Sequence, residues 1–123
     1  MKLKFNATNQ APKHTIVNEA INNIDLSVFP EGGKFIGNDE TKAAGIYAVE
    51  SSDGELYVTL AQSCTAYQIP VASHDWREST EYVDSADFSN DICYINPIAM
   101  PEDCETFKTD DGWSVRRIEN GLV

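Results

Sequence analysis

The strongest constraint on the fold comes from two β-prone runs that flank a turn in the middle of the chain. Residues 45–50 and 55–60 are rich in β-branched and aromatic side chains, and Asp53-Gly54 lies between them. An Asp-Gly pair readily adopts the positive φ angles that tight two-residue turns require. The pattern therefore predicts a β-hairpin, and with it a sheet onto which the rest of the chain must pack.

Further strands are expected on both sides of this hairpin. Leu3 and Phe5 alternate with polar residues, which is typical of a strand with one buried face. Residues 106–108 and 113–116 flank another Asp-Gly turn, at Asp111-Gly112, and predict a second hairpin. Shorter extended runs are expected over residues 26–29, 64–71 and 92–95.

Two segments have the sequence pattern of short helices. A helix is predicted over residues 14–24, where apolar residues recur at three- and four-residue intervals: Ile16, Val17, Ala20, Ile21 and Ile24. His14 opens this helix and is expected to be structural. A second helix is expected around residues 76–83, with Asp75 as its N-cap, followed by a turn over residues 84–90.

Together these elements predict an α+β fold. We expect an antiparallel sheet of about five strands, including the two Asp-Gly hairpins, with one or two short helices on one face. A parallel α/β arrangement is disfavoured because strands and helices do not alternate along the chain. The length of 123 residues, with 41% hydrophobic residues and twelve aromatic ones, indicates a single globular domain over residues 1–123.

Neither a membrane segment nor a disulfide framework is expected. No apolar run approaches the roughly 20 residues that span a bilayer, and the N-terminus lacks the apolar core of a signal peptide. The three cysteines, Cys64, Cys93 and Cys104, are an odd number without a CxxC pair. We therefore expect a cytoplasmic protein whose cysteines are small buried apolar residues.

The negative charge is concentrated in one segment. The net charge is −11, and residues 75–111 hold eleven acidic side chains against two basic ones, Arg77 and Lys108. Six of the acids follow one another at intervals of three or four residues: Asp75, Glu78, Glu81, Asp84, Asp87 and Asp91. Neither a helix nor a strand aligns this spacing on a single face. A shared acidic surface therefore has to arise from the tertiary structure.

A dense carboxylate surface complements a partner lined with Lys and Arg. Direct affinity for DNA, RNA or an anionic membrane is disfavoured, because polyanions are bound by basic faces. The expected function is that of a non-enzymatic, acidic protein-binding module. Its expected contact residues are the six acids and two neighbouring aromatic side chains: Asp75, Trp76, Glu78, Glu81, Tyr82, Asp84, Asp87 and Asp91.

In size and charge the chain resembles small phage-encoded inhibitors of bacterial defence complexes, such as anti-CRISPR and DNA-mimic antirestriction proteins. The resemblance implies binding to a nuclease or surveillance complex at its nucleic-acid groove. The acids at positions 75–91 would then make the contacts, supported by Trp76 and Tyr82.

Two other functions are compatible with the sequence. The protein would be an accessory subunit if its charge served solubility alone. It would be a small enzyme if Cys64 acted as a nucleophile and His74 as its base, although neither residue lies in a recognised catalytic motif. Arg116-Arg117 is the one basic spot, and it is expected to form ion pairs with the acidic segment.

No cofactor or metal is expected. Asp87, Ser89 and Asp91 match the first three ligand positions of an EF-hand calcium loop. Ile92 and Ile98 stand where that loop needs glycine and glutamate, so the calcium loop is incomplete. The glycine-rich loops that bind phosphates or dinucleotides are missing too.

Overall fold

The computed structural model describes residues 1–71, 75–79 and 81–118. Its strands are β1 (Lys2–Thr8), β2 (Ile16–Val17), β3 (Ala20–Ile21), β4 (Ile24–Asp25), β5 (Lys34–Ile36), β6 (Ile46–Ser52), β7 (Glu55–Ser63), β8 (Trp76–Arg77), β9 (Val83–Asp84), β10 (Asn96–Pro97), β11 (Cys104–Thr109) and β12 (Gly112–Arg117). The helix α1 (Asp39–Ala43) precedes β6, and a 3₁₀ turn (Ser85–Asp87) follows β9. The described chain is mostly strands with one small helix, an α+β-like fold. None of its helical segments is long and apolar enough to cross a membrane.

Five strands form the main sheet, in the order β5-β6-β7-β1-β9. Strands β6 and β7 pair antiparallel on either side of Asp53-Gly54, whose φ angles of 53° and 79° are those of a tight turn. Strand β1 then pairs parallel with β7, from Lys2 beside Tyr57 to Thr8 beside Ser63. The sheet has the five strands expected but is mixed, so the expected antiparallel arrangement is wrong for β1. Strands β11 and β12 pair antiparallel in a separate two-stranded sheet, so the second predicted hairpin is not part of the main sheet.

Strands β1 and β7 can pair in parallel because β6, which runs antiparallel to β7, returns the chain to the end of the sheet at which β1 begins. Parallel neighbours need a crossover of a dozen or more residues, which is usually helical. Here most of that crossover is short strands and turns, so the strand–helix alternation that signals a parallel pair is missing from the sequence.

The helix predicted over residues 14–24 is wrong, because this stretch forms an antiparallel ribbon of β2, β3 and β4. Two-residue turns separate its strands, and Asn18, Asn22 and Asn23 have φ angles of 54°, 51° and 69° there. Asparagine tolerates this left-handed conformation better than most residues. Two strand residues and two turn residues repeat every four positions, so the ribbon produces the same apolar spacing as a helix.

The helix predicted around residues 76–83 is also wrong, and Asp75 is not a helix cap. Strand β8 pairs with β10, while β9 pairs with β1, so the backbone of this stretch is bonded to other strands. The turn expected over residues 84–90 includes the 3₁₀ turn, where the Asp84 carboxylate accepts from the backbone N–H of Ala86 at 2.9 Å.

Three expected extended runs do not form strands. Residues 26–29 are largely a turn, and residues 92–95 precede β10 without joining a sheet. Residues 65–71 have no strand pairing, although Cys64 forms an isolated bridge with Trp113. These runs are apolar because they cover the core from outside the sheet: Leu26 and Ile95 are buried in it.

The helix α1 was not predicted, although its N-terminus has a recognisable signal. The Asn38 side chain accepts from the Thr41 backbone N–H, and the Thr41 hydroxyl accepts from the Asn38 N–H, both at 2.9 Å. Asp39 and Glu40 follow in the first turn, where negative charge is favourable. A reciprocal cap of this kind marks a helix start even in a five-residue helix.

One face of the main sheet packs against the core. Leu3, Phe5 and Val58 are fully buried on this face, and the Phe5 ring stacks on Tyr94 with centroids 4.5 Å apart. A second cluster lies under β11 and β12, and Trp76 packs against both clusters. The cysteines are free thiols. Cys64 and Cys104 are buried as expected, whereas Cys93 is half-buried.

Candidate interaction surface: the acidic edge

The segment that carries the six predicted acids follows the outer edge of β1. Ser79 donates its backbone N–H to Phe5 O at 3.1 Å, and its hydroxyl accepts from the Phe5 N–H at 2.7 Å. Further along, β9 lies beside the start of β1, and the Ser85 N–H bonds to Met1 O at 2.8 Å. The stretch of residues 79 and 81–85 thus runs antiparallel to residues 1–5 over roughly 13 Å, at about 3.3 Å per residue of β1. We call residues 75–79 and 81–91 the acidic edge.

The middle of the acidic edge leaves the ladder. Ser79 and Val83 are four residues apart in sequence, but they lie opposite Phe5 and Leu3, which are only two apart. Glu81 and Tyr82, two of the predicted contact residues, lie between Ser79 and Val83, and both are exposed. The Tyr82 ring nevertheless packs edge-on against Tyr57, with centroids 5.1 Å apart.

Aromatic side chains fix both ends of the acidic edge. Trp76 donates its indole N–H to Thr65 O at 2.9 Å and meets the Tyr67 ring at 5.4 Å. At the other end, Phe88 stacks on Phe5 with centroids 5.8 Å apart. Both residues are half-buried. Uncharged contacts therefore anchor the acidic edge near both of its ends.

The carboxylates of the acidic edge fall into two groups. Glu78, Glu81 and Asp87 are exposed, and they form no ion pair within residues 1–71, 75–79 and 81–118. Asp84 bonds to Lys2 Nζ at 3.0 Å. The pKa of Asp84 lies below its ordinary value, first because of the Ala86 N–H and then because of the Lys2 ammonium.

The two terminal acids sit at the ends of the acidic edge. Asp75 is exposed, and its carbonyl oxygen accepts from the Ile98 N–H at 3.0 Å and from the Tyr67 hydroxyl. Asp91 is 87% exposed and lies 3.2 Å from Lys108 Nζ. Backbone bonds to residues 1–5 thus hold the middle of the acidic edge beside β1, while Asp75 and Asp91 lie beyond this paired stretch.

Two of the five acids in residues 102–111 form described ion pairs with nearby cations. Asp103 lies 2.6 Å from Arg117 and Glu105 lies 3.1 Å from Arg116, so the ion pairs expected for Arg116-Arg117 are confirmed. Asp110 and Asp111 instead line a cleft of about 800 Å³ next to the β11–β12 turn. They extend the negative charge beyond Asp91 without continuing the acidic edge along β1.

Sequence reasoning missed the residue that ties the end of the acidic edge to the sheet. Gln62 in β7 donates to Ile92 O at 2.9 Å and accepts from the Tyr94 N–H at 2.9 Å. The side chain thereby holds both neighbours of Cys93. A lone glutamine at the end of a strand has no sequence signal that predicts such a clamp.

The catalytic alternative gains no geometric support. Cys64 is 5% exposed, and burial raises the pKa of its thiol to about 12. A nucleophilic cysteine needs the opposite shift, towards the thiolate. Its expected partner, His74, lies outside the described residues. Within those residues, no group of three or more His, Cys, Asp or Glu side chains is placed to hold a metal ion.

Comparison with known proteins assigns no family. The sequence matches no protein-family model, and no curated protein or solved structure is significantly similar to it. The geometry and charge of the acidic edge are therefore the basis for a proposed function.

Proposed function

We propose that the protein is a non-enzymatic, acidic protein-binding module that occupies a basic nucleic-acid-binding site on a partner protein in the cytoplasm. The observation that carries this proposal is that exposed carboxylates of the acidic edge lie on a backbone that is hydrogen-bonded to its neighbours. Glu78, Glu81 and Asp87 are exposed and lack described ion pairs, while the backbone between Glu78 and Asp87 is bonded to residues 1–5 at Ser79, at Val83–Asp84 and at Ser85.

Such an edge has the properties that a phosphate mimic requires. A DNA duplex carries one negative charge per about 1.7 Å and is bound through many Lys and Arg contacts. Carboxylates on a backbone fixed to a sheet can meet such a groove with little loss of conformational freedom. Complementary charge accelerates the encounter and selects the partner.

Aromatic residues supply the contacts that charge does not. Hot spots of protein interfaces are enriched in Tyr and Trp. Tyr82 is 42% exposed and lies next to Glu81, and Lys4 Nζ lies 5.4 Å from its ring centroid. The proposed contact residues are those expected from the sequence: Asp75, Trp76, Glu78, Glu81, Tyr82, Asp84, Asp87 and Asp91.

The size and charge of the chain favour an inhibitor of the anti-CRISPR or DNA-mimic type. The partner would then be a nuclease or another nucleic-acid-binding complex. The direct test is a competition assay, in which labelled duplex DNA is bound to purified restriction nucleases and CRISPR effector complexes and this protein is added. Displacement of DNA should weaken as salt rises, because screening reduces charge complementarity.

Charge reversal identifies the surface that is responsible. Glu78→Lys plus Glu81→Lys should weaken displacement by about tenfold or more, equivalent to about 1.4 kcal/mol. The matched control is Glu19→Lys plus Glu40→Lys, which changes the net charge equally at exposed side chains without a described ion pair or hydrogen bond.

Equal losses of displacement from both double variants would show that net charge alone acts. Failure to displace DNA would favour an accessory protein whose charge serves solubility.

A further inference from the structure

A buried histidine joins three parts of the fold. His14 is 6% exposed, and its Nε2 lies 2.6 Å from Ala61 O in β7. Its Nδ1 lies 3.1 Å from Nδ2 of Asn22, in the turn between β3 and β4. Asn90 of the acidic edge accepts from the His14 N–H at 3.0 Å and donates to His14 O at 2.8 Å. The sheet, the ribbon and the acidic edge therefore meet at one residue.

The hydrogen bonds assign the neutral form of the His14 ring. Ala61 O can only accept, so Nε2 carries the proton. The Asn22 Oδ1 accepts from the Thr15 N–H at 2.8 Å, and Nδ2 donates to Ala44 O at 2.6 Å. The Asn22 amide group is thus fixed with its N–H bonds towards the ring, and Nδ1 must accept.

A protonated ring does not fit this arrangement. A proton on Nδ1 would face the N–H groups of Asn22, which also donate. Turning the amide around would break its bonds to the Thr15 N–H and to Ala44 O. The ring has little room to move, because a Cβ at Gly45 would lie only 2.6 Å from its Cε1. Protonation therefore costs the contact between the ring and Asn22.

The structure describes no ion pair for a positively charged His14 ring. The hydrogen-bond partners that the structure describes for the ring are Ala61 and Asn22. On the α1 side, Lys42 Nζ lies over the Tyr47 ring. Charged groups of both signs line the two clefts that His14 also lines: Lys13, Asp91, Lys108, Asp110 and Asp111. Burial lowers the pKa of His14 below its ordinary value.

We propose that His14 is a proton-sensitive latch whose protonation releases the β2–β4 ribbon from the main sheet. The proton adds to Nδ1 and removes the only acceptor that the ring offers to Asn22. Because Asn22 also holds Thr15 and Ala44, its displacement loosens both ends of the contact between the ribbon and the sheet. This latch does not depend on the partner proposed above.

The direction of the pH effect follows from the shift. A histidine whose pKa is lower in the folded than in the unfolded state binds fewer protons when folded. The latch is therefore fully closed above the ordinary pKa of about 6.5. Its contribution to stability is lost as the pH falls from that value to the folded pKa, and it changes no further below it.

Amide hydrogen exchange measured by NMR tests the latch in the intact protein. The Asn22 and Leu26 N–H groups, which bond to Thr15 O and Glu19 O, report on the ribbon, and Val58 reports on the sheet. Between pH 7.5 and 5.0, ribbon protection corrected for the intrinsic exchange rate should fall more than that of Val58. The fall in ribbon protection relative to that of Val58 approaches tenfold for each pH unit by which the pKa of His14 is lowered in the folded protein.

Two further measurements separate the latch from general acid destabilisation. His14→Gln keeps an amide donor but does not titrate, so the selective fall should vanish. In the wild-type protein, ring ¹⁵N shifts should show a proton on Nε2 and none on Nδ1 at pH 7.5. Parallel loss of protection in ribbon and sheet would overturn the proposal. So would a selective fall that persists in His14→Gln, or a His14 pKa at or above the ordinary value.

Discussion

The main sheet and the acidic edge differ in how completely their acids are paired. On β6 and β7, Glu50 and Glu55 pair with Lys34 and the Met1 ammonium. On the acidic edge, Asp84 and Asp91 pair with Lys2 and Lys108, whereas the exposed acids Glu78, Glu81 and Asp87 form no described ion pair. The charges that the edge displays unpaired are therefore carried by side chains that do not hold it in place.

This separation has a physical reason. Exposed ion pairs contribute little to stability, so a segment can display unpaired acids if other contacts fix it. Hydrogen bonds of Ser79 and Trp76, and the packing of the Phe88 ring on Phe5, make those contacts. Substitutions in the sheet should therefore change stability, whereas reversal of the displayed charges should change binding.

The largest expected effect is at the place where the sheet and the acidic edge share a ring stack. Phe5 is fully buried and packs against Tyr94 and Phe88, so Phe5→Ala should lower the free energy of unfolding by about 3–5 kcal/mol. Denaturant unfolding measures this loss. Ile36→Ala is the control, because Ile36 is 77% exposed on β5 and should change stability by about 0.5 kcal/mol or less. A loss below about 1 kcal/mol for Phe5→Ala would contradict the comparison.

The two glycines of the predicted Asp-Gly turns differ in their place in the fold. Gly54 lies in the β6–β7 turn of the main sheet, whereas Gly112 is the first residue of β12, directly after the turn residues Asp110 and Asp111. Gly54 has φ 79° with open space around its Cβ position, so Gly54→Ala should cost about 1 kcal/mol from backbone strain. Gly112 has φ 130°, and a Cβ there would lie 2.7 Å from Ser63 O. Gly112→Ala should therefore cost about 3 kcal/mol, because overpacking adds to the strain. Equal thermal unfolding midpoints for the two variants would show that the Gly112 turn is not docked on β7.

A smaller effect is expected at the hydrogen bond that joins the acidic edge to β1. Ser79→Ala removes the acceptor of the Phe5 N–H, and the loss should be about 1–2 kcal/mol. Hydrogen exchange of the Phe5 amide should accelerate, while that of Val58 in β7 should follow only the change in global stability. Ser52→Ala, at an exposed position without a described side-chain bond, is the matched control. Unchanged exchange at Phe5 would mean that the edge is held elsewhere.

Local sequence signals predicted the elements in which pattern and structure coincide. The alternation around Leu3 and Phe5 marks β1, and the runs around Asp53-Gly54 mark β6 and β7. Strand β1 has one fully buried face, so the two-residue period survives in its sequence, whereas β6 and β7 are recognised by their β-prone residues and the Asp-Gly turn between them. Trp76 and Phe88 were also predictable as anchors, because large apolar side chains within an acidic stretch have to be buried somewhere.

The remaining structure was not predictable from periodicity, for reasons visible in particular residues. The ribbon over residues 16–25 has an apolar repeat of four positions, which is close to that of a helix. The sequence feature that favours the ribbon is the asparagine at each turn: Asn18, Asn22 and Asn23 have positive φ angles. The pairing of β9 with β1 joins residues about 80 positions apart, which no local pattern encodes. For the same reason, the spacing of the acids could not show that Ser79 and Ser85 fix them along β1.

The most direct test of the account measures stability and binding on the same variant. Glu78→Lys plus Glu81→Lys should leave the free energy of unfolding within about 0.5 kcal/mol per substitution of the wild-type value, since neither carboxylate has a described ion pair. The same variant should lose about tenfold or more in its ability to displace DNA from a basic partner. A stable variant that displaces DNA as well as the wild-type protein would contradict the account, and so would a variant that loses binding only because it unfolds.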